Sequence, residues 1–200
     1  MSGHNRRRNP GELHHMNDNM DGDVFVVLFR GVGGATQLPV AKLRDALARA
    51  GFRNVSTYIN SGNAVLASET GKAQTQELVA EVVRNDLGFE KDIMLVSRSE
   101  WQRIIDDNPF PEAAGRPTTL HVFVLRDTPG QESVAALKSR AVGEGVHVSG
   151  NILYLHVPDG FSASRLPPMI DRTLKTASTA RNWRTVLALG KMASETGTSE

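Results

Sequence analysis

Two groups of residues have the types and spacing that bind anions, and the first is a glycine-rich turn. Arg30, Gly31, Gly33 and Gly34 directly follow the apolar run 24–29. Backbone N–H groups of such a turn, at the start of a helix, can hold a phosphate or a carboxylate, and Arg30 would add positive charge. The glycines also suit a tight strand-to-helix turn, and the segment matches neither a Rossmann nor a Walker motif. The pattern therefore favours a plain turn, with anion binding as the alternative.

The second group is the basic C-terminal segment. Six Lys or Arg residues lie between 165 and 191, against a single acid. Arg181 and Arg184 flank Trp183, and basic side chains around an aromatic ring can follow a phosphate backbone and stack on a base. Trp183 also has apolar residues three and four positions later, which is typical of a helix face packed on a core. This stripe favours core packing, with the arginines reaching into water.

Polar side chains are concentrated in a third segment, which reads as a hairpin turn. Tyr58, Asn60 and Asn63 could form a polar rim that contacts a ligand or a partner. Asn and Ser also bond to their own backbone in tight turns, which explains the composition without a ligand. Ser61 has no histidine nearby in sequence, so its role as a nucleophile is not indicated.

Three histidines lie in the second half of the chain, at His121, His147 and His156. A hairpin here would place His147 opposite Tyr154, with His156 diagonal to it on the same face of a sheet. Two such histidines could share a metal, but the sequence offers no third ligand. We therefore predict satisfied histidines on a half-exposed sheet face and no metal. No carboxylate pair or nucleophile–base pair stands out either, so catalysis stays an open question.

The composition narrows the class of protein. The 200 residues are 40% hydrophobic and 22% charged, with a net charge of +1 and no cysteine. These values are typical of a globular protein. The absence of cysteine excludes disulfides and thiolate metal sites, and the small net charge argues against a surface built as a whole for DNA. The sequence contains no apolar run long enough for a membrane span, and no signal peptide is expected. We predict a cytoplasmic protein without membrane contact or cofactor.

The patterns of apolar residues, glycine and proline predict one order of elements twice. In the first half we predict strand 24–29, helix 39–50, strands 55–59 and 64–67, helix 74–87, strand 93–96 and a short helix after Ser97. In the second half we predict strand 120–125, a helix from Thr128, strands 146–148 and 152–157, helix 168–174 and helix 180–189. Leu78, Val82, Leu87 and Val142 are expected to face the core.

The tripeptide Ser-Gly-Asn occurs in both predicted hairpins, at positions 88 residues apart. Because the order of elements around both copies agrees, the sequence predicts an internal duplication. The fold class is α+β, with two tandem ferredoxin-like (β-α-β-β-α) halves, mainly antiparallel sheets and an extra C-terminal helix. The predicted boundaries are a disordered arm 1–22, a first half 23–110, a linker 111–117, a second half 118–192 and a disordered tail 193–200.

Four segments resemble one bacterial family, domain of unknown function 1697. They are Leu28–Gly34, Thr57–Asn63, Tyr154–Gly160 and Thr179–Val186. The resemblance covers about residues 24–190 and implies a pair of ferredoxin-like units, but no activity. Where the family usually has Arg-Gly-Ile-Asn-Val-Gly-Gly, this chain has the shorter Arg30-Gly-Val-Gly-Gly34 and lacks the asparagine.

Three classes of function stay open at this stage. The preferred one is a non-catalytic module that binds an anionic ligand or nucleic acid, and the alternatives are an enzyme and a structural homo-oligomer. The enzyme would act on a small phosphorylated or carboxylated substrate in the cleft between the halves. The candidate ligand-binding residues are Arg30, Gly33, Gly34, Tyr58, Asn60, Asn63, Arg181, Trp183 and Arg184.

Overall fold

The computed structural model of this protein describes residues 23–32, 38–58, 62–90 and 92–197. Its strands are β1 Asp23–Phe29, β2 Arg53–Thr57, β3 Asn63–Ser68, β4 Ile93–Ser97, β5 Leu120–Leu125, β6 Gly145–Ser149, β7 Ile152–His156 and β8 Ser178–Asn182. Its α-helices are α1 Val40–Arg49, α2 Lys72–Leu87, α3 Arg98–Asp106, α4 Gln131–Lys138, α5 Ile170–Leu174 and α6 Trp183–Glu195. The predicted arm 1–22 and the last three residues, 198–200, lie outside the described residues.

The first sheet has the order β2-β3-β1-β4, and all of its neighbouring strands are antiparallel. Its central strand β1 consists almost entirely of β-branched and aromatic residues, which suit a strand buried on both faces. Successive side chains point to opposite faces, so Phe25 and Val27 face α1 and α2, while Val26 and Leu28 face the second sheet.

The second sheet repeats the arrangement, with the order β6-β7-β5-β8 and antiparallel neighbours throughout. Strand β8 was not predicted from the sequence, and the last helix was predicted to start at Ala180. The segment 178–182 forms an edge strand that is polar and half-buried, so it lacks the apolar run by which the central strands are recognised. Asn182 ends the strand and caps α6, since its side chain accepts a hydrogen bond from the Thr185 N–H. The second half therefore reads β-α-β-β-α-β-α, like the first.

The two sheets face each other across a central core to which both halves contribute. Val26, Val122, Trp101 and Trp183 belong to this central core. Helices α3 and α6 each follow the last strand of their half and pack together here, and the indole N–H of Trp101 donates to the Val186 carbonyl at 3.0 Å. Two outer cores lie beneath α1 and α2 on one side and α4 and α5 on the other. The chain is an α+β protein whose halves share their interior.

Two of the predicted helix faces are wrong. In α2 the buried residues are Thr75, Val79 and Val83, whereas Leu78 is 37% exposed. The Thr75 hydroxyl bonds to the Ser68 side chain and so anchors that face of the helix against the end of β3. Val142, predicted to face the core, is 89% exposed because α4 ends at Lys138.

The predicted boundaries also differ from the structure at both ends of the second half. The segment 111–117, predicted as a linker, begins with a 3-10 turn at Pro111–Gly115 whose Ala113 is buried in the central core. Part of the predicted disordered tail, 193–200, continues α6 to Glu195, since Ala193 is buried there. In both segments a small apolar residue supplies packing that composition alone does not reveal.

Candidate binding site between the two halves

Arg181, on β8, connects the second sheet to the first. Its side chain donates to the Asn63 Oδ1 and to the carbonyls of Gly62, at 3.0 Å, and Phe29, at 3.3 Å. Two further N–H groups donate to Thr179 and Ala180 of its own strand, each at 2.7 Å. A guanidinium has five N–H donors, and all five are used here.

These contacts explain both the charge and the role of Arg181. Burial lowers the pKa of Arg181 to about 10, so the side chain still carries its proton at neutral pH. Its partners are carbonyl and side-chain oxygens without formal charge, which stabilise the cation by hydrogen bonds. Arg181 is therefore a clamp between the halves, with no donor left for a ligand.

Arg30 forms a second connection between the halves. Its guanidinium donates to Asp171 at 2.8 Å and to the Ser178 carbonyl at 3.1 Å, both in the second half. On the other side of Arg30, Asp92 of the first half is ion-paired with Arg126 of the second. The side chains in these pairs are partly exposed, so we expect each pair to contribute little stability by itself. Together with the Arg181 contacts they form what we call the seam.

The rest of the basic C-terminal segment does not form a binding face around Trp183. Trp183 is only 3% exposed and packs in the central core, while Arg184 is exposed. Lys191 lies within 3.7 Å of Glu195 on the same helix. A buried indole has no free face for a nucleotide base, so the helical stripe in the sequence correctly favoured packing.

A cleft of about 430 Å³ lies between α3 of the first half and the β6–β7 hairpin of the second. We call it the α3–β6 cleft. It is lined by Lys72, Val96, Glu100, Arg103, Ile104, Asp107, His147, Ser149, Asn151, Ile152 and Tyr154. Residues of both halves are needed to form it, and most of the lining side chains are polar.

The charges of the α3–β6 cleft are only partly compensated. Lys72 donates to Glu100 at 2.6 Å, and Glu100 also accepts from the Ser97 N–H in a capping box that starts α3. Burial acts to raise the pKa of Glu100, but these hydrogen bonds and the charge of Lys72 lower it overall. Arg103, one turn further along α3, has no ion-pair partner among the described residues, and neither has Asp107, the second acid of the cleft. A cation at the cleft is thus available to an anionic ligand.

Tyr154 forms an inner wall of the cleft and joins the two halves. Its hydroxyl donates to the Ile104 carbonyl at 2.9 Å. Burial, and secondarily the negative charge of Asp107, raises the pKa of Tyr154 to about 12, so the phenol stays neutral. His147 lies opposite Tyr154, as predicted, with 6.2 Å between the ring centroids. Within the described part of the chain, no hydrogen bond joins His147 to Ser149 or Asp107, so these residues do not form a catalytic triad.

The family described as protein of unknown function (DUF1697) matches residues 23–154. This match spans well over half of the sequence. The chain belongs to this family. The family brings no activity with it, but the match confirms the resemblance over residues 23–154, which include the first two of the four sequence segments.

One solved structure similar to this family member is that of the conserved bacterial protein SP0830 from Streptococcus pneumoniae. Its TM-score is 0.66 at 23% sequence identity, and the alignment covers 86% of this chain and 98% of that chain. At such low identity the likeness shows the fold alone. No curated protein matches the chain.

Four of the sequence-based candidates converge in space, at the seam rather than at an open site. Arg30 donates to β8, the strand of Arg181, and Arg181 donates to Asn63. The Tyr58 carbonyl accepts from the Asn63 amide at 3.2 Å. Gly33, Gly34 and Asn60 lie outside the described residues.

Arg103 and most of the other residues that line the cleft were not among the sequence-based candidates. The capping box at Ser97 gave the position of α3, and the 3.6-residue period would then have placed Glu100, Arg103 and Asp107 on one face. No pattern in the sequence, however, shows that this face lies against β6.

Two general features complete the description. In the described ranges, no helix is both long and apolar enough to cross a bilayer. The same residues contain no group of three or more His, Asp or Glu side chains suited to hold a metal.

His121 differs from the predicted satisfied histidine and leads to a testable result. It is 8% exposed, packs against Phe161 with the rings tilted and their centroids 4.2 Å apart, and its Nδ1 has no hydrogen-bond partner among the described residues. Burial lowers the pKa of His121 to about 4, so protons bind more strongly to the unfolded chain. The part of the unfolding free energy that comes from burying neutral His121 should therefore be fully present above about pH 6.5, the pKa of histidine in the unfolded chain. It should fall as the pH drops towards 4.

We expect the His121→Phe variant to lose less stability than the wild type between pH 7 and pH 5. The difference should be on the order of 1–2 kcal/mol, measured by urea unfolding at each pH. His147→Gln, which replaces an exposed histidine, serves as the control and should follow the wild type. Equal pH dependence in the wild type and His121→Phe would contradict the expectation.

Proposed function

We propose that this protein is a non-catalytic module that binds a small carboxylated or phosphorylated ligand in the α3–β6 cleft. The observation that carries the proposal is that Arg103 lines the cleft between the two halves and has no ion-paired carboxylate among the described residues. A guanidinium presents its donors in a fork that matches a carboxylate or a phosphate. The cleft adds the apolar side chains of Val96, Ile104 and Ile152 to its polar groups, and sites for small ligands combine both kinds of lining.

The seam supports this location indirectly. Arg181 uses all its donors on protein oxygens, and Arg30 is paired with Asp171. Binding an anion there would require breaking connections that hold the two halves together. Trp183 is likewise too buried to stack on a nucleotide base, and we therefore prefer a small anion as the ligand.

The proposal predicts that Arg103→Gln weakens anion binding. With citrate and pyrophosphate as probes, isothermal titration should give at least about tenfold weaker binding for this variant, because one charge-assisted contact is worth roughly 1.5–3 kcal/mol. Arg184→Gln is the matched control, since it removes an exposed arginine on α6 that does not line the cleft. The control should bind like the wild type.

The same titrations distinguish the other ligand classes. If neither probe binds, or if both variants bind equally well, the cleft is not the anion site. A single-stranded oligonucleotide that binds tightly, with affinity lost in Arg184→Gln rather than in Arg103→Gln, would favour the nucleic-acid alternative.

We also propose that the fold arose by duplication of a ferredoxin-like unit. The order β2-β3-β1-β4 in one sheet and β6-β7-β5-β8 in the other supports this, because both place the first and last strands of a β-α-β-β-α-β unit side by side. The extra helices α3 and α6 follow those last strands at equivalent places. The repeated unit is therefore β-α-β-β-α-β-α, and each copy covers one face of the central core with its own sheet.

A further inference from the structure

The four sheet edges of this protein are not equally protected. Edge strand β2 carries a register shift between Arg53 and Ser56, and a bulge of this kind hinders pairing with another strand. On the edge of β4 the Gln76 side chain donates to the Ile93 carbonyl. The edge of β8 is covered by arginines, because Arg30 and Arg181 donate to its carbonyls. Each of these edges is closed by a bulge or a side chain.

Strand β6 has neither form of protection. Its five residues, Gly145–Ser149, contain no Lys, Arg, Asp, Glu or Pro, and its register with β7 is unbroken. Ser149 and Ile152 pair directly on either side of the two-residue turn, and the pair that flanks such a turn is hydrogen-bonded. Hydrogen-bonded pairs with β7 therefore recur at every second residue of β6, at Ser149, His147 and Gly145. The N–H and C=O groups of Val146 and Val148 therefore point away from β7. No hydrogen bond within the described ranges occupies them.

Both faces of β6 border a concave surface. His147 and Ser149 line the α3–β6 cleft, while Val148 and Gly150 line a groove on the opposite face. We call the second one the α4–β6 groove. It has a volume of about 330 Å³ and is lined by Thr128, Pro129, Gln131, Val134, Ala135, Lys138, Val148 and Gly150. One face thus offers Arg103 to an acidic side chain, and the other offers a largely aliphatic surface.

We propose that the ligand of this protein is an extended peptide that adds to β6 as an antiparallel strand, with acidic and apolar side chains alternating. This inference rests on the proposed function, because the acidic side chains occupy the α3–β6 cleft beside Arg103. The intervening apolar side chains enter the α4–β6 groove. Main-chain hydrogen bonds to Val146 and Val148 supply affinity, and the two flanking surfaces supply specificity, as in other cases of strand addition.

A second copy of this chain fits the edge less well. Its own β6 would present Val, His and Ser side chains, none of which brings a carboxylate to Arg103. The strand is also only five residues long, which limits the number of hydrogen bonds that two such edges could exchange. An acidic peptide satisfies the charge at Arg103 and the exposed backbone groups together.

The test uses the full chain and a fluorescein-labelled peptide with the sequence Glu-Val-Glu-Val-Glu. In the antiparallel register the peptide's Val residues lie opposite Val146 and Val148, so their amides face β6 while those of the Glu residues face solvent. N-methylation of both Val amides should weaken binding at least about tenfold in fluorescence anisotropy. N-methylation of the same number of Glu amides is the matched control and should change it little. Equal effects of the two modifications would overturn strand addition.

Protein variants provide the second arm. Val146→Pro removes one outward N–H of the edge and should reduce peptide binding while leaving citrate binding unchanged. If citrate binds and the peptide does not, strand addition is wrong and the proposed function stands; if neither binds, both fail. Light scattering that shows a wild-type dimer and a Val146→Pro monomer would assign the edge to a second copy and overturn the peptide proposal.

Discussion

Replacing Arg181 by Met should lower the free energy of unfolding by about 3 kcal/mol, because breaking a partly buried charged network leaves its partners unsatisfied. Methionine keeps much of the aliphatic stem but has no donor. The carbonyls of Phe29 and Gly62, together with the Asn63 side chain, would then lose their contact with the second sheet. Urea unfolding followed by circular dichroism measures the loss.

Two further variants separate the hydrogen bonds of Arg181 from its charge. Arg181→Lys keeps the charge but has three donors instead of five, so it should recover only part of the lost stability. Arg184→Met removes an exposed arginine three residues away and should stay within about 0.5 kcal/mol of the wild type. A loss below about 1 kcal/mol in Arg181→Met would show that Arg181 is not a clamp.

Arg181 also shows where sequence reasoning ends. Its residue type and basic surroundings indicated an anion site, and the structure does bring oxygen acceptors to it. Three of those acceptors, two main-chain carbonyls and an amide, lie 118 to 152 residues away in the chain. No local pattern records such a contact, because any residue can offer a carbonyl. Strand β8 could not be recognised either, because its pairing with β5, which compensates for its polar composition, is also distant in the chain.

Elements with a strong local signal were predicted well. The runs 24–29 and 120–125 are strands within a residue of their predicted bounds, and the second hairpin turns where Gly150 was expected to allow it, with a positive φ. The α3–β6 cleft could not be predicted in this way. Its walls come from a helix of one half and a hairpin of the other, and their contact depends on how the two sheets pack. The individual elements were therefore predictable, but the site between them was not.

Replacing Trp101 by Ala should cost about 3–5 kcal/mol of unfolding free energy, the usual range for removing a large buried aromatic side chain. Trp101 is among the largest fully buried side chains, and its indole N–H bonds to α6 across the central core. Gly190 of α6 lies close to α3 here, since a Cβ on it would lie only 2.5 Å from the Ile105 Cδ1 and in ordinary contact with the Trp101 ring. The cavity would thus form where the two halves meet. Thermal and urea unfolding measure the effect.

The milder variant Trp101→Phe tests whether the halves unfold as one unit. It should cost about 1–2 kcal/mol for the lost hydrogen bond and the smaller ring, and it leaves Trp183 as the only tryptophan. Trp183 fluorescence then reports on the central core, while circular dichroism reports on both sheets. Because the central core, Arg181 and Tyr154 each join residues of both halves, the two curves should coincide in a single transition. Separate transitions would mean that each half is stable without its partner, and a cleft that needs both halves would then lose its structural basis.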